Sequence, residues 1–382
     1  MTMSGTLGTL ALPRDGKLAR KDGDYSRFET LLPSTTPSTH ASFLMPLKNG
    51  DLGCVWFAGT MEGQPDVSIY FSRLAKGSDT WTPAVKVSDD PTRSEQNPVL
   101  FDAPNGELWV LYTSQDFNGQ GTSIVKRRIS RDGGVNWGPI EVLFDRAGTF
   151  LRQPVIVLDN GKWLIPIFSC DPIPGEQWHG HDDYSAVQIS ADEGKTWTRH
   201  EVPASKGSVH MCVVKGSGSN LVAFYRSRWA DFVYRSTSSD NGETWSAPEA
   251  TELPNNNSSI QATRLADGQL AMVFNASRAT PETVAAARNA AIPRAVWGTP
   301  RAPMTIALSS DEGKTWPVRR VIDDGDGWCR PSEGENAARF NAELSYPTVT
   351  QTEDGQVHVA FTWHRLAIKH VRFPLGWVSR AV

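Results

Sequence analysis

Side chains able to hold an anion, carry a proton or attack a carbon recur in this chain at one distance from a short glycine turn. Counting back eight to ten residues from each such turn reaches His40, Asn97, Arg152 with Gln153, His210, Ser259 with Gln261, and Tyr346. A second set follows the turns: Glu62, Asp116, Asp171, Arg226, Asn275 and His364. A planar guanidinium makes paired, permanently charged contacts to a carboxylate. Histidine, tyrosine and carboxylates supply the acids, bases and nucleophiles of group transfer. A channel that merely holds water needs only hydroxyls and amides. The mixture of Arg, carboxylate, His and Tyr in one register points instead to binding or catalysis.

These residues are carried by a repeat. Asn49-Gly50, Asn105-Gly106, Asn160-Gly161, Gly218, Asp267-Gly268 and Asp354-Gly355 each follow one short apolar run and precede another, such as Leu-Trp-Val-Leu-Tyr ending at Tyr112. Asn-Gly and Asp-Gly suit two-residue hairpin turns, whose central positions need positive φ. Six hairpins result. A second repeat, Ser-x-Asp-x-Gly-x-x-Trp, interleaves with them at Ser130 to Trp137, Ser190 to Trp197, Ser238 to Trp245 and Ser309 to Trp316, with a worn copy ending at Trp81. Each copy reads as a self-capped turn in which Asp accepts from its own loop's amides and Trp packs the loop down. Asp132, Asp192, Asp240 and Asp311 are therefore structural, neither catalytic nor calcium-binding.

The second repeat resembles the Asp-box of the sialidase superfamily and related BNR-repeat proteins, and the likeness spans roughly His40 to Phe373. It implies an all-β fold, a six-bladed β-propeller of four-stranded antiparallel blades, with the Asp-box between the third and fourth strands of a blade. In such a ring the first strand of every blade lines the axis, so the register above converges on one pocket. Residues 1–27 are expected to form an N-terminal extension and 28–382 a single propeller domain, closed by an early strand near Phe28 to Leu32. The long gap between the last two hairpins holds an insertion whose Ala-rich stretch, Pro281 to Ala291, suits a short helix.

The resemblance also implies roles. Sialidases clamp the substrate carboxylate with three arginines. Arg226 looks like the second and Arg301 like the third. The slot of the first holds His40, and Arg152 from the third blade is the candidate substitute. Tyr346, in Ser-Tyr-Pro-Thr-Val, matches the tyrosine nucleophile. Glu62 falls near the acid/base slot. The glutamate that primes the tyrosine is replaced by His210, which leaves the nearby Glu343 as the candidate. Asn97 and His364 complete the expected substrate-binding set.

Composition narrows the partners. The 382 residues carry a net charge of −4, with both signs interspersed and no basic run. That disfavours nucleic acid and anionic membranes. No apolar stretch approaches the roughly 18 residues of a membrane span, and Met1 to Lys21 lacks an uninterrupted apolar region of a secretory signal, so a cytoplasmic protein is expected. Cys54, Cys170, Cys212 and Cys329 have no paired spacing and read as buried free thiols. No metal or nucleotide cofactor is expected. His179-Gly-His181-Asp-Asp183 reads as a substrate-rim loop.

Three functions stay open. The first is an exo-acting glycoside hydrolase on an acidic sugar. The second is a lyase cleaving a uronic-acid glycoside by β-elimination, an idea the two histidines favour. The third is a non-catalytic carbohydrate-binding propeller. The sugar, its linkage, the stereochemical outcome and the oligomeric state are not encoded in these patterns.

Overall fold

The computed structural model describes residues 13–117, 119–171, 175, 177–325 and 343–380. Six antiparallel sheets follow one another along the chain and around a ring. Their innermost strands are Ser38–Pro46, Ser94–Asp102, the interrupted pair Thr149–Leu151 and Ile156–Val157, then Ser208–Lys215, Gln261–Arg264 and Leu344–Gln351. We number the blades 1 to 6 in that order. Each innermost strand packs on the next around the axis, and the last packs on the first. The chain is a six-bladed β-propeller.

The six turn glycines account for the hairpins. Gly50, Gly106, Gly161, Gly218, Gly268 and Gly355 all have φ between 60° and 88°, a region other residues enter only with strain. The strands they connect are buried nearly throughout, as at Leu52–Gly59 and Leu108–Gln115. The main apolar cluster fills the wedges between blades 1, 2 and 3, with Phe101, Trp109 and Trp163 in edge-to-face contact.

The Ser-x-Asp-x-Gly-x-x-Trp turns link the third and fourth strands of blades 2 to 5 and share one hydrogen-bond pattern. The serine hydroxyl donates to the aspartate at 2.8 Å, and the glycine amide donates to the serine Oγ at 2.7 to 3.0 Å. The amide four residues on donates to the same carboxylate at 2.8 to 2.9 Å. Bonds from that residue's amide and side chain hold Asp132, Asp192 and Asp311 at about 2, below the usual carboxylate range. Each aspartate is thus used up by its own loop.

Ring closure joins the two chain ends. The strand Asp24–Leu31 pairs with Ala367–Pro374, Phe28 opposite Arg372, and Ala19–Lys21 adds a further strand outside it. Trp81, at the worn repeat, crosses this seam. Its Nε1–H donates to His370 Nδ1 at 3.1 Å, so the His370 proton is on Nε2, which faces His358 Nδ1 at 2.9 Å. His358 Nε2 then meets Thr352 Oγ1 at 3.1 Å, and Thr352 donates to Asp354 at 2.6 Å. An indole can only donate, so one end fixes the direction of the whole chain.

The blade 5 insertion forms a helix, Pro281–Arg288, capped by Thr280. Beyond it the chain crosses to blades 3 and 4, where Ala295 N–H bonds His179 O and Val296 N–H bonds Arg228 O.

Candidate active site

The inner strands carry a second repeated device. Their ladders slip a register between His40 and Phe43, Gln96 and Val99, Val209 and Cys212, and Ser345 and Thr348. At each slip one non-glycine residue is left-handed: Ala41, Asn97, His210 and Tyr346, with φ of 51° to 58°. In blade 3 the break between the two short inner strands holds Arg152 and Gln153. A bulge turns a side chain out of the alternation of its strand, and a left-handed non-glycine residue costs about 1 to 2 kcal/mol. Strain of that kind, repeated at one level of the ring, marks where the fold is spent on positioning.

Tyr346 lies at the centre. Arg226 Nη1 donates to its hydroxyl at 2.7 Å, while Arg226 Nε donates to Asn257 Oδ1 at 2.8 Å. His40 and His210 flank the phenol ring, with centroids at 4.3 and 5.5 Å. Guanidinium carbons of Arg152, Arg226 and Arg301 lie 5.4, 5.6 and 5.8 Å from the ring centroid. Arg152 reaches across from blade 3 and donates through Nη2 to the carbonyls of Ser42, at 2.7 Å, and Tyr346, at 3.0 Å. Burial alone would raise the Tyr346 phenol, yet Arg226, Arg301 and Arg228 together outweigh it and Glu62, and bring it below the usual tyrosine range.

Glu343 departs from the role expected for it. Its carboxylate accepts from Arg301 at 2.8 Å, Arg365 at 2.7 Å and Ser345 at 2.8 Å, and the phenol of Tyr346 is not among its partners. Burial raises its pKa, but Arg365 and Arg301 prevail and hold it at about 2. A carboxylate so held anchors arginines and is a poor base. Glu62 also joins this cluster, through Arg365.

His210 departs as well. Burial, then Arg226 and Arg228, push it well below the ordinary histidine range, so the ring is neutral. Arg226 Nη1 faces its Nε2 at 3.3 Å. A guanidinium has no acceptor, so Nε2 accepts and the proton sits on Nδ1. Nε2, the one nitrogen with a lone pair, is therefore occupied by Arg226, and His210 is no base toward Tyr346. His40 is neutral for the same reasons, burial first and then Arg365, with Nδ1 against Thr362 Oγ1 at 2.8 Å.

Of the other expected residues, Asn97 sits at its bulge with its amide toward Thr113, at 3.4 Å. His364 is buried beside the cluster, its backbone amide on Glu343 O at 2.7 Å and its ring against Trp363. Asp116 and Asp171 are outer-rim groups paired with Arg93 and Arg146. In the loop at 179–183, Asp182 is paired with Lys206 and His181, and Asp183 with Arg228 at 2.6 Å. Among the described residues no three His, Cys, Asp or Glu side chains cluster closely enough for a metal ion. Cys54, Cys170 and Cys212 are buried and unpaired, while Cys329 lies outside the described residues.

Residues the sequence reading left out are Asn257, Arg228 and the tryptophans above it, and it gave Arg365 no role. Arg228 packs against Trp178 at 5.3 Å and Trp297 at 5.4 Å. Its spacing of two from Arg226, the period of one strand face, was the available signal.

The fold and this site define a six-bladed propeller that holds a tyrosine amid guanidinium groups at its axis. The chain belongs to the family of BNR repeat-like domains, whose model matches residues 50–359. Among solved structures it is similar to the Hadza microbial sialidase Hz136, at 16% identity and TM-score 0.69, over 90% of this chain and 67% of that one. The NanB sialidase of Streptococcus pneumoniae, as its K499G mutant, matches at 12% identity and TM-score 0.68, over 91% and 71%. A protein of unknown function from Dyadobacter fermentans matches at 16% identity and TM-score 0.69, over 91% and 97%. No curated protein sequence matches. At these identities the solved structures establish the shared fold. No described helix is long and apolar enough to cross a membrane.

Proposed function

We propose that this protein is an exo-acting glycoside hydrolase that releases a carboxylate-bearing sugar. The observation that carries this reading is the Tyr346 hydroxyl held at 2.7 Å by Arg226, with Arg301 beside the same ring. Arg226 and Arg301 take the substrate carboxylate, which sets the anomeric carbon against the phenol oxygen. A tyrosine suits this attack because a phenol repels the incoming carboxylate less than a second carboxylate would. Glu62 gives its proton to the leaving oxygen and then receives one from the water that frees the sugar. Glu343 keeps Arg301 and Arg365 in place, and His40 and His210 act as neutral walls. The similarity to sialidases supports a sialic-acid-like substrate.

The test is a panel of sialosides, other keto-acid glycosides and uronides, read by mass spectrometry. Hydrolysis adds one water across the broken bond, whereas elimination leaves an unsaturated sugar with enoate absorption. Release of a hydrated acidic sugar, abolished by Tyr346→Phe, is the expected result. An unsaturated product would transfer the site to β-elimination. Binding without turnover over the whole panel would make it a carbohydrate-binding propeller.

A further inference from the structure

The charges around Tyr346 do not cancel in pairs. Arg228 is matched by Asp183, and Arg301 and Arg365 are matched by Glu343 and Glu62. Arg226 and Arg152 have no carboxylate partner among the described residues. Both are almost fully buried, at 1% and 2% exposed. An unmatched buried cation costs several kcal/mol, so a fold that keeps two of them at one tyrosine needs a countercharge there.

Arg152 is the more telling of the two. Nη2 is satisfied by two carbonyls, but Nε and Nη1 have no hydrogen-bond partner. Apart from the thiols of Cys54 and Cys212, the one group that acts on it as an anion is Tyr346, and burial draws the guanidinium down to about 10. The Tyr346 oxygen, for its part, accepts from Arg226, and no described residue accepts the phenol's own proton. His210 Nε2 and the Glu343 carboxylate, the nearby bases, are both taken by arginine donors.

We propose that Arg152 is a positioning residue which, together with Arg226, ionises Tyr346 directly, so that the nucleophile requires no carboxylate or histidine base. The proton leaves to solvent before substrate arrives. The phenolate cancels one of the two unmatched charges, and the other is left for a single substrate carboxylate. In the reaction the phenolate oxygen bonds the anomeric carbon as the glycosidic C–O bond breaks, and the leaving oxygen takes a proton that Glu62, ionised against Arg365 in the resting protein, has picked up from solvent. This inference rests on the reading of Tyr346 as nucleophile. It adds that the substrate is a monoanion at this site and that arginines do the work of a base.

The experiment is an ultraviolet pH titration of tyrosinate in the wild-type protein, with the Tyr346→Phe titration subtracted so that Tyr346 alone remains. Tyr346 is expected to ionise below the ordinary tyrosine value of about 10. Arg152→Met should raise its midpoint, and Arg226→Met, which removes the donor on the phenol oxygen, should raise it further, by about one pH unit or more, a tenfold change in ionisation. Arg152→Lys, which keeps the charge, should undo most of the Arg152→Met shift, and the surface variant Arg264→Met should leave the midpoint unchanged. Arg226→Met gives a second reading should Arg152→Met not fold. Titration of Tyr346 together with the other tyrosines, or a midpoint indifferent to Arg152 and Arg226, would overturn the proposal. A low midpoint that responds to Arg152 and Arg226 in a protein that hydrolyses no glycoside would leave the ionisation of Tyr346 by arginines standing and remove its role as nucleophile, so the two failures are distinguishable.

Discussion

The two ends of each blade treat repetition in opposite ways. At the outer edge, blades 2 to 5 use the same Ser-x-Asp-x-Gly-x-x-Trp residues with hydrogen bonds that agree to within a few tenths of an ångström. At the inner edge a backbone device recurs, a bulge with one left-handed residue, but the residue differs every time: Ala41, Asn97, His210, Tyr346. Where a repeat serves stability, the side chain is copied with the backbone. Where it serves a site, the backbone is copied and the side chain is released to specialise. The outer aspartates are spent on their own loops, whereas the inner arginines reach across the ring to partners on other blades.

This contrast can be broken by mutation. Tyr346→Phe should lower kcat by about a thousandfold or more, as expected for loss of a nucleophile, and should also lower the thermal unfolding midpoint, because it leaves Arg226 and Arg152 buried without their countercharge. Substitution of the blade 2 bulge residue Asn97 by Ala, assayed beside it, should cost far less. Glu343→Gln removes the shared partner of Arg301 and Arg365, and breaking a buried pair in this way costs about 3 to 5 kcal/mol. Denaturant unfolding should register that loss, together with a raised KM.

The outer layer has one exception, and it sharpens the comparison. At the seam of blades 6 and 1 the capped turn is replaced by the Trp81–His370–His358 chain. Burial and Arg372 bring His358 from 6.5 down to about 4, against the opposing pull of Asp354, and burial, His358 and Arg372 hold His370 well below the ordinary histidine range as well. Between those values the unfolded chain binds a proton that the folded chain refuses. The stability that His358 contributes is therefore full above pH 6.5 and falls by about 3 kcal/mol as pH drops to 4, and the other buried neutral histidines add to the decline. Thermal unfolding across that range should follow the decline, and His358→Asn should make it shallower by the His358 share. The smallest effect belongs to a single outer turn. Asp240→Ala removes the loop's own acceptor and should cost about 1 kcal/mol, as loss of a capping side chain does, with kcat unaltered.

Much of this architecture is legible in the sequence because it is local. Asn-Gly and Asp-Gly turns announce the hairpins within a few residues, and counting back from them reaches Arg152, His210 and Tyr346 without a structure. The short helix at Pro281–Arg288 follows from its Ala-rich composition and Thr280 cap. Partnership at the site is not local. Arg365 and Glu62 are 303 positions apart, and Arg226 and Tyr346 are 120 apart. No periodicity records which arginine faces which carboxylate, so Glu343 reads as a primer for Tyr346 from their three-residue spacing when it in fact holds two arginines. His210 reads as a base for a similar reason: its residue type is visible, but the donor that occupies its nitrogen comes from the next strand.

The central claim, that the inner ring is built to make Tyr346 attack a sugar, has a direct test. Turnover of a fluorinated glycoside of a carboxylate-bearing sugar, whose breakdown is slowed, should leave one sugar residue covalently attached to Tyr346 on peptide mass spectrometry. Attachment at any other residue, or turnover that persists in Tyr346→Phe, would contradict it.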